Sequence, residues 1–219
     1  MIQDTRLEEL AHIRGLMDRS TRFLSLSGLS GVVAGSAALV GAFLARPHHR
    51  AIGAHDRLER FGSGAYRLDD RLADSSHWEH LCFLAVDGAS VLVVALMAAW
   101  YFTRRRGQRT GQGIWDASAR RMLTALLVPL VAGGIFCIAL VWHNDAFLVA
   151  PVTLVFYGLA LVNASKYTLV EVRWLGLSEL VLGLSGLFWP GVGLLLWALG
   201  FGVLHIAYGG LMYLRHERE

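Results

Sequence analysis

Two ionisable residues lie inside the apolar runs that close this 219-residue chain: Glu179 in the run that follows Trp174, and His205 in the run that ends at Leu214. A charge in hydrocarbon costs several kcal/mol unless it faces protein or water. Each residue therefore marks either a polar contact that glues helices or a group that handles protons. Carboxylates and imidazoles are the usual carriers in proton relays. A third ionisable group, Asp87, sits in an earlier apolar run with Ser90 three residues on, sharing its helical face.

The spacing around the first two supports an inward-facing role. Gly176, Glu179, Gly183 and Gly186 recur at three and four residues, as do Ala198, Gly202, His205 and Gly209, so each set forms one helical stripe. Small residues line helix contacts in membranes because they let backbones approach. Phe188-Trp189-Pro190-Gly191 breaks the two runs into a hairpin. At about 1.5 Å per residue, Glu179 lies about 16 Å and His205 about 22 Å from that turn, which leaves a direct hydrogen bond between them open. Desolvation favours the neutral form of both groups, whereas mutual attraction favours the charged forms.

The elements that must position these residues follow from composition. With 55% hydrophobic and only 17% charged residues, and a mean hydropathy of +0.48, the chain falls outside the soluble globular class. The expected fold is all-α: a polytopic membrane protein, a bundle of six transmembrane helices. The spans are expected at about 23–45, 80–102, 121–142, 146–165, 170–189 and 190–214. Residues 1–22 should form a cytoplasmic amphipathic helix, started by the capping box Thr5-Arg6-Leu7-Glu8. Residues 215–219 form a cytoplasmic tail. Loop 46–79 should lie outside and contain two short amphipathic helices, broken at Gly62-Ser63-Gly64. Ser27, Gly31 and Gly35 mark a packing face on the first span; Pro129 should kink the third, and His143-Asn144-Asp145 makes a tight connection.

Orientation follows from Lys and Arg. Fourteen fall on the side shared by both termini and the Arg104–Arg121 connection, against six in the acid-balanced loop 46–79. The positive-inside rule makes the former side cytoplasmic, with both termini in. Arg104, Arg105, Arg106 and Arg109 then face anionic lipid headgroups, each cation attracted by about 1 kcal/mol. The net charge of +3 and pI near 9.1 are explained by this topology and point to no nucleic acid. A homo-oligomer or a cytoplasmic protein partner is compatible with the pattern.

The same topology gathers His48, His49, His55, His77, His80 and His143 on the outer side with Glu79 and Asp145. Imidazole and carboxylate suit Zn²⁺ or a similar metal. His80, His143 and Asp145 are the candidate ligands, although no HExxH or other metal signature supports them. Cys82 and Cys137 read as packing thiols in the second and third spans. No P-loop, GxSxG, CxxC or Rossmann fingerprint appears, and the sequence points to no particular cofactor.

Two stretches carry a resemblance. Arg19-Ser20-Thr21-Arg22-Phe23-Leu24-Ser25-Leu26-Ser27-Gly28-Leu29-Ser30-Gly31 and Trp197-Ala198-Leu199-Gly200-Phe201-Gly202-Val203-Leu204-His205-Ile206-Ala207-Tyr208-Gly209 resemble motifs of a family of uncharacterised bacterial six-helix integral membrane proteins. The resemblance spans the whole chain and implies a bacterial inner-membrane protein. It transfers no catalytic residue.

Three function classes follow. A proton-linked or small-solute transporter or channel-like protein would use Asp87, Glu179 and His205. A membrane sensor or scaffold would hold a cytoplasmic partner through the N-terminal segment and the Arg-rich connection. An intramembrane metal- or cofactor-binding enzyme would use the outer histidines or Asp87, which His205 lies too deep to join.

Overall fold

A computed structural model describes residues 27–61, 70–110, 115 and 117–218. Those residues form helices and short connections, with no strand among them. We number the helices α1 (Gly28–Phe61), α2 (Asp70–Thr110), α3 (Ala117–Trp142), α4 (Val149–Ala164), α5 (Val170–Phe188) and α6 (Gly193–His216). Five helical segments are long and apolar enough to cross a membrane: Gly28–Gly53, His77–Arg109, Ala117–Trp142, Ala146–Tyr167 and Gly193–His216. The remaining helix, α5, is 19 residues long and carries Glu171, Arg173 and Glu179. The expected amphipathic segment 1–22 and the break at Gly62-Ser63-Gly64 lie outside the described residues.

The connection 46–79 departs from expectation. Instead of two separate short helices, α1 runs on through Pro47 to Phe61, and α2 is already helical at Asp70. Proline is tolerated here at the cost of one amide donor. Beyond it, Ala51, Ala54, Arg57, Leu58, Glu59 and Arg60 are helix formers, and Gly53 is the one weak position among them. At 41 residues α2 is about 60 Å long, about twice a hydrocarbon core.

The other connections are tight. After α3 the chain turns at Asn144, whose φ of 58° is a left-handed conformation that Asn adopts more readily than most residues. A single 3₁₀ turn, Ala146–Leu148, then leads into α4, where Pro151 falls in the first turn and needs no intrahelical amide partner. A 3₁₀ turn over Ser165–Tyr167 joins α4 to α5, and another over Pro190–Val192 makes the hairpin bend. Within α6 the hydrogen-bonding pattern changes: Gly193–Trp197 is α-helical, Ala198–Leu204 is π-helical, and His205–His216 is α-helical again.

Helices α1, α4, α5 and α6 form the interior, with α2 packed chiefly on α1 and α3 on α4. The close seams are built on glycine. A Cβ placed on Gly209 would stand 2.6 Å from the Gly28 carbonyl oxygen, and one on Gly35 only 2.5 Å from that of Gly202, so α1 and α6 touch backbone to backbone. Gly176 and Gly183 do the same for α5 on α4, meeting Gly158, Leu161, Val155 and Pro151. Leu161, Val172 and Leu175 centre a core with Leu126, Tyr157, Leu204 and Tyr208 around them.

The outside of the bundle is apolar. Only 6% of the most apolar window of α2, and the same share for α3, is buried, leaving Val86, Met97, Val131 and Ile138 exposed. Contiguous apolar surface on this scale is unfavourable in water and natural against lipid tails. The several long apolar helices are consistent with a membrane protein.

Candidate functional site

Glu179 stands in the middle of α5 and is completely buried. Its stripe faces inward as the sequence implies, but the two arms press on different helices: Gly176 and Gly183 seat α5 on α4, and Gly202 and Gly209 seat α6 on α1. What brings α5 and α6 together at Glu179 is Gly200. Any side chain there would collide with the Glu179 carboxylate and with Leu154, itself fully buried.

His205 meets three groups at once. Its Nδ1 is 3.1 Å from the Gly200 carbonyl oxygen and 3.3 Å from Glu179 Oε1, and its Nε2 is 2.9 Å from the Tyr157 hydroxyl. A carbonyl oxygen only accepts, so Nδ1 carries a hydrogen; in the neutral ring Nε2 is then bare and accepts from Tyr157. That fixes the tautomer through hydrogen bonds on both sides. Phe201 lies parallel to the His205 ring, tilted 20° at a centroid distance of 5.8 Å, and Phe201 also meets the Tyr157 ring at 4.8 Å.

Glu179 differs from His205 in one respect. Neither carboxylate oxygen has a hydrogen-bond partner, although Oε1 lies within ion-pair distance of Nδ1. The Nδ1 hydrogen is directed at Gly200, so Glu179 and His205 are electrostatic neighbours and not a hydrogen-bonded pair. An ionised carboxylate in such a place would lack the donors that make buried charge tolerable. A carboxyl that takes up and gives back a proton has that requirement only in part of its cycle.

The sequence stripe that contains Ala198, Gly202, His205 and Gly209 omits Gly200 and could not show Tyr157, which lies on α4. The π-helical stretch supplies the missing register: its wider turn brings the Gly200 carbonyl, five residues back, under the His205 ring. A lone Tyr in the middle of an apolar span is the one signal that could have found Tyr157, because a buried hydroxyl needs a partner.

Asp87 does not join this site. It is half-buried on α2, where its carboxylate lies close to Gly41 of α1. His80 is hydrogen-bonded to His48, Nδ1 to Nδ1, at 2.9 Å. His143 is exposed at the end of α3, and Asp145 is half-buried in the turn after it. Among the described residues no three His, Cys, Asp or Glu side chains gather as metal ligands would, so the expected set of His80, His143 and Asp145 is not assembled. Cys82 and Cys137 are both free thiols.

The basic run at the end of α2 divides. Arg104 lies over the Trp100 ring at 5.3 Å, and Arg104, Arg105 and Arg109 are exposed. Arg106 instead turns inward, its Nη1 3.4 Å from Glu217 Oε1 and its Nη2 donating to the His216 carbonyl at 3.2 Å. Glu217 also accepts from the Gly28 amide at 2.5 Å and from the Ser27 hydroxyl at 2.8 Å, capping α1 from the end of α6. Glu171, in the first turn of α5, meets Arg215 and His216 at 3.4 and 3.3 Å. One end of the bundle is thus tied across four helices by side chains.

No protein-family model, curated protein or solved structure matches the chain. The class of protein is accordingly defined by the fold alone, as a helical protein of membrane character. What it does is argued from the site.

Proposed function

We propose that this is a six-span inner-membrane protein that handles protons in its α5–α6 hairpin, as a proton-linked or small-solute transporter or channel-like protein. The observation that carries the reading is Glu179: wholly buried, without a hydrogen-bond partner, and 3.3 Å from an imidazole whose opposite nitrogen is bonded to Tyr157. Tyr157, His205 and Glu179 then form a short chain along which a proton can pass. His205 takes the Tyr157 hydroxyl proton at Nε2 and surrenders the one at Nδ1 to the ionised Glu179 when the ring leaves Gly200; the Tyr157 oxygen takes up the next proton, and the cycle closes when Glu179 releases its proton and the His205 ring turns over. Asp87 belongs to a separate stage nearer the outer end of α1.

In this reading α5 is the fifth of six spans, its charges tolerated because Glu171 is paired with Arg215 and hydrogen-bonded to His216, and Glu179 faces protein. Both termini and the Arg104–Arg121 connection are cytoplasmic and residues 46–79 external, in a bacterial inner membrane. Arg104, Arg105 and Arg109 meet anionic headgroups, whereas Arg106 is engaged by Glu217. A purely sensory or scaffolding role needs no buried carboxylate and leaves Glu179 unexplained.

The test is proton movement. Purified protein in liposomes carrying an internal pH-sensitive dye should let an imposed pH gradient and membrane potential drive proton entry, and Glu179→Gln should abolish it. Flux that is absent in the parent under all gradients, or equal in the parent and Glu179→Gln, overturns the reading.

A further inference from the structure

At the other end of the α1–α2 seam two imidazoles face each other through the same atom. His48 Nδ1 and His80 Nδ1 are 2.9 Å apart, a hydrogen-bond distance that admits one hydrogen and not two. Their orientation is held: the His48 ring stacks on Phe83 at 3.8 Å with a 12° tilt, and it meets the His80 ring edge-on at 5.0 Å and 70°. Two turns along α2 from His80, on the same face, the Asp87 carboxylate lies against Gly41, which is itself two turns along α1 from His48.

We propose that His48 and His80, with Asp87 as their counter-charge, form a second proton-binding site that joins the outer half of α2 to α1 through one shared proton. The proton balance is simple. In the neutral pair one ring donates Nδ1–H to the bare Nδ1 of the other, whose own hydrogen is on Nε2. One added proton settles on the free Nε2 of the donor ring and leaves the link intact, with Asp87 as the acidic group on the same seam. A second added proton must occupy the accepting Nδ1; the link is then broken, and two imidazolium rings face each other.

This matters for α2 because it packs chiefly on α1. Opening the His48–His80 contact removes a polar tie from the outer end of that one seam, while Arg106 still holds the other end to Glu217 and His216. The described titratable and charged groups near the pair include Asp145, half-buried at the start of the 3₁₀ turn that packs on α1. Arg46 and Arg50 on α1 and Glu79 on α2 are exposed, His49 is half-buried beside His48, and His77 is buried one turn from His80. The inference does not rest on the hairpin reading and survives its failure.

Nuclear magnetic resonance of the intact chain in lipid nanodiscs, with histidine ring nitrogens labelled, tests it. Expected are a through-bond coupling between the two Nδ1 atoms at neutral pH, and two successive protonation steps on acidification. The coupling should vanish at the second step. His80→Gln should remove the coupling and leave His48 with a single step, and Asp87→Asn should move the first step to lower pH. Should His80→Gln not fold, the parent's coupling and His48→Gln decide the matter. Two independent single-step titrations without coupling overturn the proposal. So does stoichiometric Zn²⁺ binding that requires both His48 and His80, which would make the pair part of a metal site.

Discussion

The Glu179 carboxylate lies directly against the backbone of Gly200, in space that any side chain on Gly200 would fill. The contact joins the two arms of the hairpin at the level where His205 also bonds the Gly200 carbonyl. It makes a glycine, and not the ionisable residues themselves, the piece that sets the distance from carboxylate to imidazole.

Gly200→Ala should therefore destabilise the protein by about 1–3 kcal/mol, the usual range for overpacking a closed interior. Thermal denaturation in detergent would show the loss. Adding Glu179→Ala to Gly200→Ala should recover part of it, because the obstructing carboxylate is gone while the Leu154 contact remains; an additive double variant would mean that the two residues do not share this space.

Stability and proton handling should separate at Glu179. Its oxygens have no hydrogen-bond partner, and His205 keeps Tyr157 and Gly200 whatever stands at position 179. Glu179→Leu should thus melt at or above the parent temperature, since exchanging a buried ionisable group for an apolar one of similar size is often neutral or stabilising. His205→Leu should instead cost about 1–3 kcal/mol by leaving the Tyr157 hydroxyl unpaired. Melting curves of the two variants side by side check the contrast.

Much of this was legible from spacing. The stripe through Glu179 is buried, and the one through His205 is buried from Gly202 to Gly209 with Ala198 half-buried, because apolar and small residues at three and four apart can only be shielded on one side of a helix. Their partners were not legible. The glycines of α5 and α6 meet α4 and α1, and no helix pattern states which neighbour a face will find. Gly200 was missed for a sharper reason: a stripe drawn at 3.6 residues per turn fails where α6 becomes π-helical. The pairing of His80 with His48 across 32 residues has no local signal, and histidine spacing alone suggested a metal set instead.

The tie between Glu217, Gly28 and Arg106 gives a third expectation. Glu217 caps α1 at Gly28 and pairs with Arg106, so Glu217→Ala should lower stability by about 0.5–2 kcal/mol, typical of a lost N-cap. Arg106→Ala should cost less, as it leaves the cap in place. Urea unfolding of the detergent-solubilised variants would rank them; equal losses would show that the cap is not the dominant part.

Membrane orientation is open to direct measurement. In a background lacking Cys82 and Cys137, Ser63→Cys should react with an impermeant thiol reagent added to intact cells, and Gly111→Cys should react only after lysis. Labelling of Gly111→Cys from outside would reverse the proposed topology.

The central claim is that Glu179 exchanges a proton within the hairpin, and pH-difference infrared spectroscopy of the lipid-reconstituted protein addresses it most directly. A protonated carboxyl in an apolar site has its own carbonyl stretch. The account predicts such a band that appears and disappears as pH is cycled, is lost in Glu179→Gln and is altered in Tyr157→Phe and in His205→Leu. A carboxyl band that never changes with pH, or one that persists unchanged in Glu179→Gln, would contradict it.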